Sequence, residues 1–327
     1  MDGSYKSERM WKGSRMMNVS FVIPCYRSEK TLESVVDEIQ KKMSSLRKYE
    51  YEIILVNDCS PDNTLGVIHR ICASNTNVIG IDHAKNFGQH AALMAGFHFV
   101  SGEVVVCLDD DGQTPADEVD KLLLKIEEGY DVVYAEYENK QHSAFRNFGS
   151  NVNKKMTEVM LGKPKELYIS SYFAARRFVV EEMIKYQNAF PYVIGLVLRT
   201  TKNICNVKVH HRERQEGVSG YSFKKLIALW VNGFTSFSVL PLRVATYGGA
   251  VVAVGGFLYA LYTVIRKLVD PNRIIGWSST ISIILILGGL VLLVLGMIGE
   301  YIGRIYISIN NSPQYVIRSV INYQKRD

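Results

Sequence analysis

The sequence predicts an α/β domain built on a doubly wound, mainly parallel sheet, followed by an interfacial helix and a transmembrane helical hairpin. Two observations support this prediction. Between residues 19 and 109, short apolar segments alternate with amphipathic ones, and after residue 243 two long runs contain no charged residue. A length of 327 residues leaves room for about two such units.

The chain opens with a segment that contains no continuous apolar stretch, which argues against a secretory signal. We expect residues 1–17 to form a flexible leader. The α/β domain is predicted to follow it and to occupy residues 18–222.

Four apolar segments have the length of buried strands. They read VSFVIP (19–24), YEIILVND (51–58), VIGID (78–82) and EVVVCLD (103–109), and amphipathic segments at about 31–46, 64–73 and 89–99 separate them. Strands buried on both faces and joined by helices describe βαβ units and a parallel sheet. Because such sheets bind ligands beyond the carboxyl ends of their strands, the residues after each strand are candidates for a binding site.

Three consecutive aspartates follow the fourth apolar segment, in VVVCLDDDGQTPADE. If the chain continues in extended form, Asp109 and Asp111 converge on one side while Asp110 points away. Two converging carboxylates suit Mg²⁺ or Mn²⁺, and a divalent cation would remove their mutual repulsion. The alternative is an acidic turn that caps a helix beginning near Pro115.

Two uncharged runs, Val244–Ile265 with 22 residues and Ile274–Gly299 with 26, are long enough to cross a bilayer as helices. The alternative is a pair of buried core helices. The connection at 266–273 is short, so the helices are predicted to be antiparallel, with residues 300–327 forming a cytoplasmic tail.

Basic residues orient this hairpin. Those on the side of the chain ends are Lys224, Lys225, Arg243, Arg304, Arg318, Lys325 and Arg326, and those in the connection are Arg266, Lys267 and Arg273. By the positive-inside rule, the α/β domain is expected to face the cytoplasm from the inner (cytoplasmic) membrane. Five cysteines without a CxxC pair fit a reducing compartment.

Residues 223–243 place apolar side chains near one helical face, with two lysines beside them. This pattern is typical of a helix lying in the membrane interface. A helix packed on the soluble domain is the alternative. The net charge of +6 is not taken to indicate nucleic-acid binding, because the basic residues gather near the membrane segments and no nucleic-acid module is visible.

Four motifs follow successive strands, and two more lie in the C-terminal half. They are FVIPCYRSE, LVNDCSPDNT, NFGQHAALMAGF, CLDDDGQTP, VHHRERQEGVSGYSFKKL and GMIGEYIGRIY. Together they resemble the family-2 glycosyltransferases of the GT-A fold. The resemblance is strongest to the subgroup that loads sugars onto polyprenyl phosphates, which includes bactoprenol glucosyltransferases, undecaprenyl-phosphate formamido-arabinose transferases and dolichol-phosphate mannose synthases.

The resemblance implies a donor site for a nucleotide sugar, with a UDP-sugar expected. The metal-binding D-x-D of the family falls on Asp109 and Asp111, and the glutamine that follows it falls on Gln113. These residues would hold Mg²⁺ or Mn²⁺ with the donor diphosphate.

The base and ribose pocket of the family falls on Pro24, Tyr26 and Asp58, with Asp58 matching the aspartate that hydrogen-bonds the base. A turn cap before SPDNT is the alternative role for Asp58. The family usually reads Pro-x-Tyr-Asn-Glu, whereas this chain has Arg27 and Ser28 at the last two positions.

The resemblance places acceptor-phosphate contacts at Arg146, Arg214 and Ser219, and guanidinium suits bidentate phosphate binding. An exposed charge or a surface ion pair is the alternative role for each arginine. Gly220 replaces the lysine of the subgroup pattern. Ser171, Tyr172 and Phe173 stand where many relatives carry Asp-Phe-Arg, so the sugar is left open.

The function implied is inverting sugar transfer onto a polyprenyl (undecaprenyl) phosphate at the lipid bilayer, for cell-envelope glycans. Relatives associate through their hairpins, which makes a homo-oligomer plausible. The alternatives are a family-2 transferase with a hydroxyl acceptor, a processive synthase, for which a Q-x-x-R-W motif is absent, and a non-catalytic scaffold. A domain truncated after about Gly220 is expected to retain nucleotide binding.

Overall fold

A computed structural model of the chain describes residues 17–138, 163–210, 240–269, 277–310 and 312–323. Its strands are β1 Met17–Cys25, β2 Tyr49–Asn57, β3 Val78–His83, β4 Val104–Cys107, β5 Val132–Glu138, β6 Phe173–Arg176, β7 Ile204–His210 and β8 Ile317–Ile321. Its helices are α1 Leu32–Ser45, α2 Thr64–Ser74, α3 Gln89–Phe97, α4 Val119–Glu127, α5 Arg177–Ile184, α6 Val193–Thr200, α7 Leu240–Val269 and α8 Trp277–Ile309, with a 3₁₀ turn at Ala116–Glu118.

All of these strands form one sheet in the order β7-β5-β6-β4-β1-β2-β3-β8. The pairs β1–β2, β1–β4, β2–β3 and β5–β7 are parallel, whereas β6 runs antiparallel to β4 and β5. The predicted α/β class with a mainly parallel sheet is therefore confirmed. The leader prediction extended one residue too far, because Met17 already pairs with Tyr49 in the sheet.

The sheet has a helical layer and an apolar core on each face. Leu32, Ile39, Ile68 and Leu122, from α1, α2 and α4, are fully buried on one face. On the other face α3, α5 and α6 contribute a second buried set, including Met94 and Val197. Because both faces are covered, the central strands read as continuous apolar runs rather than alternating ones. This explains why the strand segments were recognisable in the sequence.

Helix α3 lies very close to β1, and glycine makes the approach possible. A Cβ atom at Gly96 would lie 2.5 Å from Cγ1 of Val22. The close packing fixes the helix axis against the sheet. The start of α3 is thereby held at the carboxyl end of β1 and β4, where the candidate site lies.

The predicted cytoplasmic tail at 300–327 is corrected by the structure. Residues up to Ile309 continue α8, and Ile317–Ile321 return to the sheet as β8, antiparallel to β3. The edge of β3 would otherwise expose unpaired N–H and C=O groups, and β8 satisfies them. Strand β8 is thus part of the α/β domain.

Helices α7 and α8 contact each other and expose large apolar side chains along their length, such as Val251 (73% exposed) and Leu292 (70%). Among the described residues, Ile286–Ile307 is long and apolar enough to cross a membrane, and Ala245–Tyr259 is a shorter apolar stretch. Helix α7 extends beyond the predicted span of 244–265 at both ends, and α8 continues past the predicted end at 299 to Ile309. The alternative of buried core helices is wrong for the described parts, because their apolar faces are exposed.

Candidate active site

The aspartate run lies at the carboxyl edge of the sheet, where β1, β2 and β4 end. Strand β4 stops at Cys107, and the chain bends at residues 110–112, where Gly112 adopts a φ of +72°. The expectation that the chain continues in extended form through Asp111 is therefore wrong. A positive φ favours glycine, which explains its place directly after the three aspartates.

Asp110 binds the loop that follows β1. Its Oδ2 accepts a hydrogen bond from the Tyr26 N–H (2.9 Å) and another from the Ser28 hydroxyl, while Thr31 Oγ1 donates to the Asp110 carbonyl (2.6 Å). Burial raises the pKa of the Asp110 carboxyl to about 6, although the bonds from Ser28 and Tyr26 act in the opposite direction. Asp110 joins the ends of β1 and β4.

Asp109 is held from two sides by neutral donors. Gln89, the first residue of α3, donates from Nε2 to Asp109 Oδ1 at 2.8 Å. The Ser171 hydroxyl donates to Oδ2 of the same carboxylate. Ser171 stands where many relatives carry an aspartate, and a hydroxyl there binds Asp109 without adding a like charge. The bonds fix the orientation of the carboxylate.

Asp111 accepts a hydrogen bond from the backbone N–H of Gln113 at 3.1 Å. Tyr137 in β5 lies near both Asp109 and Asp111. Burial is the main cause that raises the pKa of its hydroxyl, and the two carboxylates raise it further. Both carboxylates therefore act electrostatically on the same side chain of β5.

The donor set suits a hard divalent cation that is completed by a ligand. No group of three His, Cys, Asp or Glu side chains that could hold a metal occurs among the described residues. Mg²⁺ and Mn²⁺ typically bind through one or two carboxylates together with substrate phosphates and water. Asp109 and Asp111 fit such a shared site rather than an all-protein cage.

Asp58 is buried, with 3% of its surface exposed, and it secures the loop before α3. Its Oδ1 accepts the Phe87 N–H (2.8 Å) and lies 3.0 Å from Nδ1 of His83, and its Oδ2 accepts the Gly88 N–H (2.7 Å). The alternative of a cap before SPDNT does not match these contacts. There, the side chain of Asp62 accepts bonds from Ser60 and Thr64.

Pro24 and Tyr26 differ in accessibility. Pro24 is buried within β1 opposite Val56, whereas the Tyr26 ring is 45% exposed and the guanidinium of Arg27 lies 5.6 Å from its centroid. An exposed aromatic ring at this edge can stack on a base. The donor-binding roles of Pro24, Tyr26 and Asp58 remain predictions.

The loop after β1 departs from the family pattern, and its contacts show how the changed residues are used. Arg27 has a φ of +60°, and its N–H donates to Ser60 Oγ at 2.7 Å. Glu29, displaced by one position, accepts the Asn63 N–H through Oε2 at 2.9 Å. The glutamate therefore ties this loop to the start of α2.

Three predicted acceptor residues, Arg146, Arg214 and Ser219, lie outside the described residues. The same holds for most of the predicted interfacial helix, since only residues 240–243 of 223–243 are described, and these belong to α7.

Sequence reasoning missed Gln89, His83 and Tyr137 as members of this edge, and it identified Ser171 only as a departure from the family pattern. Gln89 lies inside the quoted motif NFGQHAALMAGF and begins the helix that follows β3, so its position carried a usable signal. Tyr137 lies in β5, and Ser171 lies two residues before β6, both far along the chain from Asp109. Only the antiparallel insertion of β6 between β4 and β5 brings them to the edge.

Replacing Asp58 with alanine should destabilise the domain, because the N–H groups of Phe87 and Gly88 and the His83 ring would lose their shared acceptor. An unsatisfied buried donor costs about 1–3 kcal/mol, so we expect the melting temperature to fall by at least about 4 °C. Thermal unfolding followed by circular dichroism measures this. A shift below about one degree would contradict the assigned role, and Asp62→Ala is the matched control for a half-exposed turn cap.

Two family models match the chain. Residues 20–184, which are 165 of the 327 residues, match Glycosyl transferase family 2, and residues 240–305 match the GtrB C-terminal hairpin. The hairpin match, together with the apolar helix α8, indicates association with a membrane.

Several solved structures share the fold. Glucosyl-3-phosphoglycerate synthase from Mycobacterium tuberculosis, in complex with Mn²⁺, UDP and phosphoglyceric acid, is 22% identical with a TM-score of 0.50, over 65% of this chain and 74% of that one. Its complex with Mn²⁺ and UDP-glucose gives 21% and 0.50, over 67% and 79%. A further mycobacterial protein gives 20% and 0.52, over 68% and 75%. The predicted GT-A fold is thereby confirmed.

Proposed function

Because this chain belongs to glycosyl transferase family 2 and carries a GtrB C-terminal hairpin, we propose that it transfers a sugar from a nucleotide-diphospho-sugar to a polyprenyl phosphate. The observation that carries this proposal is that one chain combines a sheet edge bearing Asp109 and Asp111 with two exposed apolar helices. A soluble acceptor would not require the second feature.

On the donor side, the diphosphate is placed at Asp109 and Asp111, with Gln113 beside them. Mg²⁺ or Mn²⁺ bound there would neutralise the diphosphate and stabilise the charge of the leaving nucleotide. Gln89 and Ser171 keep the Asp109 carboxylate oriented, so little reorganisation is needed when the donor binds. UDP and Mn²⁺ are the first choices as probes, because the fold relative was solved with them.

The exposed Tyr26 ring is proposed to stack on the nucleotide base. Pro24 shapes the pocket from within β1. Asp58 orders its floor through Phe87 and Gly88, and its carboxylate is proposed to accept a hydrogen bond from a base N–H.

On the acceptor side, a polyprenyl phosphate attacks the anomeric carbon through an oxygen that is already ionised. No strong general base is therefore required, in contrast to transfer to a sugar hydroxyl. Arg146, Arg214 and Ser219 are proposed to hold this phosphate. The bond to the nucleotide phosphate breaks as the new one forms, with inversion at the anomeric carbon.

The membrane arrangement belongs to the same proposal. Residues 223–243 would lie in the interface, α7 and α8 would cross the bilayer, and the catalytic domain would face the cytoplasm. An acceptor whose tail stays in the bilayer then presents its phosphate at the height of the catalytic edge.

The proposal is tested by incubating purified protein in undecaprenyl phosphate-containing liposomes with UDP- and GDP-sugars and Mg²⁺ or Mn²⁺. We expect mass spectrometry of the lipid extract to find an undecaprenyl monophosphate sugar with one of the donors. Transfer to added glycans with no lipid-linked product would instead support a hydroxyl acceptor.

Arg214→Ala should raise the KM for the lipid phosphate by roughly tenfold or more, because a charge-assisted bond to phosphate is lost. UDP affinity measured by isothermal titration should stay within about twofold, since Arg214 is proposed to act on the acceptor and not on the donor. An equal loss of UDP affinity would show that Arg214 acts on the donor. Arg199→Ala, which replaces an exposed arginine in α6, serves as the control.

A further inference from the structure

The segment 312–323, called here the return segment, follows α8 and contains β8. It lies outside both matched family regions, 20–184 and 240–305. Its register pairs Asp82 with Ser319 and His83 with Ile317, with an irregularity between the two pairs. The last chain segment that the structure describes therefore lies against the end of β3, next to Asp58.

One line of contacts runs from the return segment to Asp58. The Tyr315 ring stacks on the His83 ring with centroids 5.7 Å apart and planes at 5°. His83 is fully buried, and its Nδ1 lies 3.0 Å from Asp58 Oδ1. Tyr315 therefore covers the outer face of the histidine that orients Asp58.

The same line continues to the aspartate edge. Asp58 accepts the N–H groups of Phe87 and Gly88, which immediately precede α3. The next residue, Gln89, donates to Asp109. Gly88 has a φ of +89°, a conformation that glycine adopts without strain. Because glycine has no side chain to hold this turn, the hydrogen bonds to Asp58 hold it.

A second line of contacts begins at Arg318. Its guanidinium lies 3.3 Å from Asp82 Oδ2 and also donates to the Ala84 carbonyl at 3.0 Å. The Asp82 carboxylate is buried and accepts Asn57 Nδ2 at 2.7 Å, and Asn57 Oδ1 accepts the Ser60 N–H. A buried carboxylate needs such partners, because desolvation disfavours its charge.

We propose that the return segment is a positioning element for the donor edge, with Tyr315 and Arg318 as its positioning residues. Docking of Tyr315 holds His83 and Asp58, and through them the 84–89 turn and Gln89. Arg318 holds Asp82 and the 57–60 turn. Only residues 310–314 separate α8 from Tyr315, so the hairpin is tied closely to this edge. The consequence for donor affinity rests on the proposed nucleotide site.

The test compares full-length Tyr315→Ala, Arg318→Ala and wild-type protein in detergent. Hydrogen exchange is measured for peptides covering 84–90 and, as an internal reference, for peptides of β1 and β4. We expect Tyr315→Ala to speed exchange in 84–90 by about tenfold with the reference peptides unchanged. UDP affinity in the presence of Mn²⁺ should weaken by at least about fivefold in both variants.

Two further variants separate positioning from general loss of structure. Tyr315→Phe keeps the stacked ring and should restore both readouts. Tyr323→Ala removes another aromatic contact of the return segment, with the Phe99 ring at 5.0 Å, which belongs to neither of the two lines of contacts described above. It should leave exchange in 84–90 and UDP affinity unchanged.

The inference would be overturned if Tyr315→Ala left the hydrogen-exchange rate of 84–90 unchanged, or if it raised the exchange rate of β1 and β4 by the same factor. It would also be overturned if Tyr315→Phe failed to restore protection in 84–90. These readouts need no ligand. If wild type does not bind UDP, the proposed nucleotide site fails, whereas the exchange result still decides the positioning role.

Discussion

Asp111→Asn should reduce sugar transfer by at least about a hundredfold while the domain stays folded. The change removes one of the two charged ligands proposed at the edge but retains an oxygen that can accept the Gln113 N–H. Asp111 is partly exposed, so its replacement leaves no buried charge unpaired. Transfer is measured as radiolabelled sugar in the lipid extract, and folding by circular dichroism.

Chelation gives the same prediction without a mutation. EDTA should inactivate the wild type, and Mg²⁺ or Mn²⁺ should restore it, because the two carboxylates need a cation to bind a diphosphate. Asp117→Asn, an exposed aspartate on the 3₁₀ turn, is the control and should retain activity. Full transfer in excess chelator would rule out the metal site.

Deleting residues 311–327 should lower the melting temperature by roughly 10 °C and abolish detectable UDP binding. The deletion exposes the edge of β3, removes Ile317 and Ile321 from the cores, and leaves the Asp82 carboxylate without Arg318. Each loss is worth about 1–3 kcal/mol. Differential scanning fluorimetry and titration with UDP measure the two effects.

A chain that ends at Tyr323 is the matched control, because it retains the whole return segment, and it should behave as the wild type. Retention of the wild-type melting temperature by the 311–327 deletion would show that β8 contributes nothing to the domain. The result also bears on a truncation after Gly220. The sequence predicted that such a domain would bind nucleotide, but it lacks β8, so we expect it to be destabilised and to bind UDP poorly.

The strands and helices of the first half were predictable because each is encoded locally. A strand buried on both faces must be apolar along its length, and an amphipathic helix must repeat its apolar side chains with the helical period. The four predicted strands therefore match β1 to β4 closely, with errors only at the ends. The ends depend on turns such as the one at Gly112, where packing decides where pairing stops.

The candidate site was predictable only in part. Asp58, Asp109 and Asp111 each follow a strand in the sequence, so the topology of a parallel sheet was enough to bring them to one edge. The sequence could not show that Asp58 binds His83 and the start of α3, or that Asp110 holds the loop after β1. Those contacts depend on side-chain directions in a folded loop.

By itself the sequence determined the α/β class, the mainly parallel sheet, the edge that carries the aspartates and the two apolar C-terminal helices, because all of these follow from local periodicity and strand order. Only the tertiary structure decided that β6 brings Ser171 to Asp109 and that the chain returns after α8 to pair β8 with β3. The pairing joins residues more than two hundred positions apart, through an edge whose unpaired N–H and C=O groups leave no pattern in the sequence.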